Sequence, residues 1–147
     1  MQLNATLIYL YLKRQEWSDN AIFAVLGNMQ SESTISPGRY QVNGGAFGLV
    51  QWDPATKYTD WAVDNGYAND SVTGQLLYLI NSMQPGQGEW FRNKNYPAYY
   101  LPANEFICSN ASVDYLTLVF LYSYERPRNP NVNLRKNNAL YWSNYFN

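Results

Sequence analysis

A glutamate at the end of an apolar helix face is the residue of this chain best placed to do acid chemistry. From Ile22 onward, apolar side chains recur at the three- and four-residue steps of one face, at Val25 and Met29, and Glu32 takes the next step. Such a position removes the carboxyl group from water in part, which favours its protonated form. A carboxylic acid still protonated near neutral pH can give a proton to a leaving group, the first requirement for cleaving a glycosidic bond.

The other acidic residues leave one further candidate, Glu125. It also ends a strongly apolar helix, where core meets surface, and the alternative to a chemical role is an ion pair with Arg126. For Glu32 the alternative is a solvated glutamate, although the helix dipole disfavours a negative charge at a C-terminal end. The remaining acidic residues are interpreted as helix caps or as surface residues. The caps are Asp19, Asp53 and Asp70, and the surface residues are Glu16, Asp60, Asp64, Glu89, Glu105 and Asp114.

The composition excludes several classes of chemistry. The chain has no histidine and one cysteine, which excludes Ser-His-Asp and Cys-His catalysis and argues against a conventional zinc site. We therefore expect no metal and no cofactor. A formal net charge of -1 without a basic cluster argues against nucleic-acid binding. The apolar run within residues 1–12 is too short to span a bilayer and lacks the basic start of a signal peptide, so we expect a core helix and no membrane insertion.

Size and composition favour one folded domain over residues 1–147. Hydrophobic residues make up 46% of the chain and charged residues 14%, which is typical of a globular protein. Aromatic residues reach 17%, with 14 tyrosines. This content predicts an aromatic-rich core and also an aromatic-lined groove, because sugar rings stack on flat apolar faces and not every tyrosine hydroxyl can be buried and satisfied.

Hydrophobic periodicity predicts a mainly helical chain. Ser18 is expected to cap the second helix, and Asp53 to cap the third, with Pro54 at its first position. Gly27 inside the second helix costs helix propensity and is expected to permit close packing with another element. The predicted helices cover residues 5–15, 19–31, 54–65, 71–83, 103–108, 112–124 and 132–145. The sixth is apolar nearly all round and is expected to be central and buried.

Residues 39–52 follow a different pattern. The sequence Asn-Gly-Gly at 43–45 is a turn signal between two short segments, 40–42 and 46–50, and predicts a small β-hairpin or irregular β segment. Combined with the helices, this predicts an α+β fold that is mainly α, with a central buried helix and one small β-hairpin.

Three motifs of the chain resemble the lysozyme and lytic transglycosylase superfamily. Glu32 at a helix end, followed by Ser-Pro-Gly at 36–38, resembles the glutamate signature of that superfamily. Gly-Leu-Val-Gln at 48–51 resembles its Gly-Leu-x-Gln segment, which lines the cleft opposite the glutamate. With Ser-Tyr-Glu-Arg-Pro at 123–127, the pattern is similar to one branch, the phage tail lysozymes, which are peptidoglycan-cutting domains of tail-tip and tail-knob proteins. The motifs occur in the family's order and span most of the chain.

The resemblance implies roles for individual residues. Glu32 would be the general acid and later a general base, and Tyr124 would orient it through its hydroxyl. Glu125 stands where the transglycosylase segment Ala-Tyr-Asn has asparagine, and is either an accessory carboxylate or a structural partner of Arg126. The residues implied to bind or position the sugar are Ser33, Phe47, Gly48, Gln51 and Trp52.

The resemblance also implies an activity and a setting. It implies a muramidase that cleaves the β-1,4 bond between N-acetylmuramic acid and N-acetylglucosamine in peptidoglycan. The alternatives are a lytic transglycosylase on the same scaffold, which leaves an anhydro sugar end, and a non-catalytic glycan-binding or structural tail protein. The expected partners are the glycan strand and other phage tail proteins. The expected location is the virion, at the tail tip or knob, acting on the host wall from outside; an endolysin is a further alternative.

Overall fold

The computed structural model describes residues 1–147 and is all-helical. Seven α-helices follow one another along the chain, and the sixth continues into a π-helical turn. Their bounds are α1 Gln2–Arg14, α2 Asp19–Ser33, α3 Thr56–Asn65, α4 Val72–Ser82, α5 Ala103–Cys108, α6 Val113–Phe120, the π-helical turn Leu121–Glu125 and α7 Val132–Phe146. There is no strand and no sheet, so the predicted α+β class is wrong.

Residues 39–52 form a looped segment where a β-hairpin was predicted. Phe47 makes two isolated antiparallel bridges, with Tyr40 on one side and Trp52 on the other, and no neighbouring pair extends either bridge into a ladder. A turn over residues 42–44 lies at the predicted turn signal. The prediction of a turn is therefore confirmed, whereas the prediction of a hairpin is wrong.

Side chains, rather than a partner strand, satisfy part of the backbone of this looped segment. The Leu49 carbonyl accepts from the Ser33 hydroxyl at 2.9 Å, and the Leu49 N–H donates to Gln75 Oε1 at 2.8 Å. Gly48 has a φ of +91°, and a Cβ there would lie 2.9 Å from Gln75 Oε1, so only glycine fits. Polar groups from α2 and α4 thus stabilise a tight loop in place of a ladder.

The packing of α2 against α7 is unusually close at one point, as the glycine in α2 predicts. A Cβ on Gly27 would lie 2.6 Å from the Ala139 Cβ and 2.7 Å from the Ala139 nitrogen. Any larger side chain at Gly27 would therefore push α7 away from α2. Arg135 lies one helical turn before Ala139, so this close approach brings its guanidinium to α2.

The helix predicted over 112–124 is buried, which confirms the expectation, but it changes geometry near its end. Residues 121–125 form the π-helical turn, in which the Arg126 N–H donates to the carbonyl five residues back at 2.8 Å. A π-helical turn accommodates one more residue than an α-helical turn and is frequent at functional sites. Here it holds Tyr124 and Glu125, the two residues of this helix that the motifs single out.

The predicted cap of the third helix is wrong. Ser18 does cap α2, accepting from the Ala21 N–H at 3.2 Å. However, α3 begins at Thr56 and is preceded by Ala55, while Asp53 and the proline after it, joined by a cis peptide bond, lie in the turn before the helix. The Asp53 carboxylate is therefore not used as a helix cap.

The hydrophobic core is dominated by one cluster of 29 buried residues, to which helices and the looped segment contribute. Aromatic rings pack on one another within and against it: the Trp52 ring centroid lies 5.1 Å from that of Tyr58 and 5.2 Å from that of the partly buried Tyr78. The expectation of an aromatic-rich core is confirmed. No helix combines the length and the apolar character needed to cross a bilayer.

Candidate active site

The two glutamates singled out in the sequence line one cleft of about 540 Å³. The last turn of α2 supplies Glu32, and the π-helical turn supplies Glu125. The remaining lining residues are Gln41, Ala46, Val50, Gln51, Asp53, Arg126, Pro127 and Arg128. A smaller pocket of about 110 Å³ shares Glu125 with this cleft and reaches Trp52 and Tyr124. No aromatic side chain lines the larger cleft, so the expected aromatic-lined groove is wrong for this site.

Glu32 is held by a buried arginine that belongs to none of the motifs. Arg135 Nη2 lies 2.5 Å from Glu32 Oε1, and the side chains are 4% and 16% exposed, respectively. The same guanidinium donates to Asn28 Oδ1 at 3.0 Å and to the Pro130 carbonyl at 2.6 Å. The sequence expectation for Glu32 rested on burial alone and did not include this guanidinium, which lies on a helix far along the chain.

The sequence of α7 contains a signal for Arg135 that motif reasoning missed. Arg135, Ala139 and Trp142 recur at steps of four and three residues, and all three are buried. A cation within an otherwise apolar stripe predicts a buried polar or anionic partner, because an unpaired buried charge is costly. Asn28 is also fully buried, and its amide donates to two backbone carbonyls at 2.9 and 3.2 Å, which fixes the acceptor for Arg135.

Glu125, unlike Glu32, has no cationic partner in contact with its carboxyl group. Its Oε1 is buried and has no hydrogen-bond partner, although the residue as a whole is only half-buried. Burial raises the pKa of the Glu125 carboxyl well above its usual range, and the negative charge of Glu32 raises it further, whereas Arg135 and Arg126 oppose both effects. The two cleft carboxyls therefore differ: Glu32 has a cationic partner, and Glu125 is biased toward the protonated acid.

Arg126 pairs with Glu89 and not with Glu125. Its guanidinium lies 3.7 Å from Glu89 Oε2, donates to the Glu89 carbonyl at 2.8 Å and sits 4.0 Å from the centroid of the Phe91 ring. Lys57 contacts the same carboxylate at 3.4 Å. Glu89, expected at the surface, is thus a shared ion-pair partner beside the cleft. The structural alternative for Glu125, an ion pair with Arg126, is absent.

Tyr124 lies behind the cleft, and its hydroxyl is part of a hydrogen-bond chain. Trp52 Nε1–H donates to this hydroxyl at 2.8 Å, and the hydroxyl lies 2.7 Å from Ser82 Oγ, whose own proton goes to a carbonyl of α4. Tyr124 therefore donates to Ser82, and burial raises the pKa of Tyr124, which keeps it neutral. None of these bonds reaches Glu32. The chain instead stabilises the π-helical turn that carries Glu125.

We expect Tyr124→Phe to lower the free energy of unfolding by about 1–3 kcal/mol, because it leaves the buried Trp52 N–H without an acceptor. Activity should fall less than after substitution of a cleft glutamate. Urea unfolding and the rate of wall cleavage measure the two effects, with the exposed Tyr145→Phe as the matched control. If the variant is as stable as the wild type, the hydrogen-bond chain does not stabilise the π-helical turn. If its cleavage rate is unchanged, the Tyr124 hydroxyl has no part in placing Glu125.

The residues implied to position the sugar divide into two groups. Gln51 lines the cleft, although its amide nitrogen already donates to two carbonyls of the looped segment at 3.0 Å, and Trp52 lines the smaller pocket. Ser33 is buried and bonds the looped segment to α2, and Gly48 supplies a backbone conformation. Phe47 lines neither pocket and makes the two β-bridges. A direct sugar contact stays a prediction for all five.

Asp53 is a third carboxylate of the cleft, missed because its sequence context reads as a helix cap. It does not complete a metal site, since no cluster of three or more His, Cys, Asp or Glu side chains is arranged to hold an ion. The arrangement that remains is an open cleft with one guanidinium-bound carboxylate and one carboxyl biased toward its acid form. Such a pair suits cleavage of an acetal bond, in which one group donates a proton and the other opposes positive charge.

The fold and the cleft define an all-helical protein with a polar cleft that contains two glutamates. The chain belongs to the phage tail lysozyme family, whose sequence model matches residues 3–146. The family predicted from the three motifs is therefore confirmed. This chain is also similar to morphogenesis protein 1 of Bacillus phage B103. The two are 42% identical over 147 residues, which cover 97% of this chain and 39% of that protein. The chain thus spans about two fifths of the length of this curated relative.

Proposed function

We propose that residues 1–147 form a catalytic domain that cleaves the β-1,4 bond between N-acetylmuramic acid and N-acetylglucosamine in peptidoglycan. The observation that carries this proposal is the pair Glu32 and Glu125, which share one cleft but have contrasting surroundings. Cleavage of a glycosidic bond needs an acid at the bridging oxygen and, in most enzymes, a carboxylate that stabilises the cationic sugar or activates water. The cleft contains a candidate for each.

The rest of the cleft suits an anionic polysaccharide. Gln41 and Gln51 bring amide groups that can exchange hydrogen bonds with sugar hydroxyls. Arg128 lines the cleft and makes no ion pair within the protein, so it offers a cation to the carboxylates of muramic acid and its peptide stem. These groups favour a wall glycan over a neutral, apolar ligand.

The family description and the name of the relative support a place in the phage virion. A tail-borne enzyme meets the host wall at infection, and local cleavage there would open a path through the wall. The proposed partners are therefore the peptidoglycan strand and other tail proteins, and the proposed location is the tail tip or knob. An endolysin released at the end of infection would work at the same bond, with no need for tail contacts.

Digestion of purified peptidoglycan tests the proposal. Wild type and the double variant Glu32→Gln/Glu125→Gln would be incubated with walls from several Gram-positive hosts, and the fragments identified by mass spectrometry. We expect fragments from the wild type alone, with reducing muramic acid ends. Fragments with anhydro ends would instead identify the enzyme as a lytic transglycosylase. Binding to walls without any fragments would overturn the enzymatic proposal in favour of a glycan-binding tail protein.

A further inference from the structure

A second groove, of about 440 Å³, lies between the end of α4 and the start of α5, and it has the aromatic lining that the cleft lacks. Trp90 and Tyr100 line it, together with the amide side chains of Gln84 and Asn104 and with two prolines. This aromatic groove shares no lining residue with the cleft that contains the two glutamates. Its volume falls within the range of about 300–1,000 Å³ that is usual for small-ligand sites.

The aromatic rings of this groove are held in place by the protein itself. The Trp90 ring centroid lies 5.1 Å from that of Phe106, and the Trp90 Nε1–H donates to the Leu101 carbonyl at 2.9 Å. The guanidinium carbon of Arg92 lies 4.9 Å from the centroid of the Tyr100 ring, a cation–π contact that occupies one ring face. Trp90 and Tyr100 are nevertheless partly exposed. Rings that are fixed but accessible lose little conformational freedom when a ligand binds.

The polar groups that line the groove are neutral and have free hydrogen-bonding capacity. Gln84 donates from its amide nitrogen to the Ile80 carbonyl at 3.0 Å, which leaves its Oε1 as a free acceptor. Asn104 accepts a hydrogen bond through its backbone carbonyl, and its side-chain amide is exposed and has no partner within the protein. No charged residue lines the groove, whereas half of the residues that line the cleft are charged. The groove therefore suits a neutral ligand that combines apolar faces with hydrogen-bonding groups.

We propose that the aromatic groove binds neutral N-acetylated sugar units of the wall glycan outside the cleft. Such a sugar presents a face of C–H bonds, which stacks on an aromatic ring, and hydroxyl and acetamido groups, which exchange hydrogen bonds with amides. The choice of a wall sugar rests on the proposed function, because the groove and the cleft would then hold the same polymer.

The position of the groove supports this choice. Glu89, the residue before Trp90, lines the smaller pocket beside the cleft. The Phe91 N–H donates to the Ser123 carbonyl at 3.3 Å, and Arg126 donates to the Glu89 carbonyl at 2.8 Å, so this part of the chain is bonded to the π-helical turn. A sugar site fixed in this way to the wall of the cleft raises the effective concentration of glycan at the cleft, which helps an enzyme that works on an insoluble substrate.

Indole NMR tests the inference separately from cleavage. The protein would be labelled with ¹⁵N, the signals of its five indole N–H groups assigned, and the trimer of N-acetylglucosamine titrated in. Trp90 reports on the groove, Trp52 on the smaller pocket beside the cleft, and the fully buried Trp142 is the reference. We expect a saturable shift of the Trp90 signal and none of the Trp142 signal. No shift of Trp90, or a shift of Trp52 alone, would overturn the inference and leave the proposed function untouched.

A pair of matched double variants locates the binding. Tyr100→Ala/Asn104→Ala removes one ring and one amide from the groove, and we expect it to raise the Kd of the trimer, read at Trp90, about tenfold. The control Tyr145→Ala/Asn110→Ala changes an exposed tyrosine and an exposed asparagine outside the groove and should bind as the wild type does. Equal affinities of the two double variants would overturn the inference. If Trp90 responds as expected but peptidoglycan is not cleaved, the groove is a glycan site and the enzymatic proposal alone fails.

Discussion

Glu125→Gln is expected to lower the rate of peptidoglycan cleavage by about 10²–10⁴-fold, the usual contribution of a side chain that takes part in proton transfer, while leaving the protein at least as stable as the wild type. The amide has nearly the shape of the protonated acid but no proton of comparable acidity. Because Oε1 of Glu125 is buried without a hydrogen-bond partner, the substitution removes no contact within the protein. A loss of turnover without a loss of stability is the signature of a residue used for chemistry.

The stability difference between this variant and the wild type should also depend on pH in a defined direction. The pKa of Glu125 is higher in the folded chain than the usual value, which applies when it is unfolded, so folding disfavours the ionised form. The wild type therefore has its full stability below the unfolded pKa and loses stability as pH rises through the folded pKa. Glu125→Gln lacks this loss. Its advantage in urea midpoint should be larger at about pH 8 than at about pH 5.

Glu105→Gln is the matched control for both measurements, since Glu105 is exposed on α5 and lies outside the cleft. We expect it to leave the cleavage rate and the pH dependence of stability unchanged. Full turnover by Glu125→Gln, or a loss of stability without a loss of turnover, would show instead that Glu125 is a structural residue.

The parts of the fold that sequence reasoning predicted are those determined by neighbours in the chain. Apolar periodicity located the helices, and Ser18 was recognised as a cap because a helix start is a local event. The stripe that ends at Glu32 predicted a partly buried carboxyl for the same reason, and its side chain is 16% exposed. Gly27 was predicted to permit close packing, although its partner, Ala139, could not be named from local sequence.

The features that escaped prediction depend on groups far apart in the chain. The looped segment does not become a hairpin because Ser33 and Gln75, from two helices, satisfy the Leu49 backbone. Likewise, the pairing of Glu32 with Arg135 joins residues 103 positions apart. The first contact is the reason that the predicted α+β class is wrong, and the second gives Glu32 a partner that no local pattern indicates. Local patterns therefore found the candidate carboxyl groups, while tertiary contacts determine their surroundings.

Glu32→Leu is expected to lower the free energy of unfolding by about 3–5 kcal/mol, because it leaves the guanidinium of Arg135 buried without a counter-ion. Arg135→Met should lower the free energy of unfolding by less than Glu32→Leu does. The Glu32 carboxyl that it leaves without a partner is 16% exposed and can be solvated from the cleft. The double variant Glu32→Leu/Arg135→Met should be more stable than Glu32→Leu alone, because replacement of a buried ion pair by apolar groups is often close to neutral. Urea unfolding of the four proteins gives the coupling energy.

A neighbouring ion pair between α7 and α6 provides the control cycle. Lys136 contacts Asp114 at 3.5 Å, and both side chains are more exposed, at 31% and 45%. The cycle through Lys136→Met and Asp114→Leu should give a coupling of at most about 1 kcal/mol, as is typical of surface pairs. A Glu32–Arg135 coupling no larger than this would show that the buried guanidinium does not depend on Glu32. If instead the double variant Glu32→Leu/Arg135→Met is as stable as the wild type but cannot cleave peptidoglycan, stability cannot account for the pair. Its contribution would then be to the function of the cleft that Glu32 shares with Glu125.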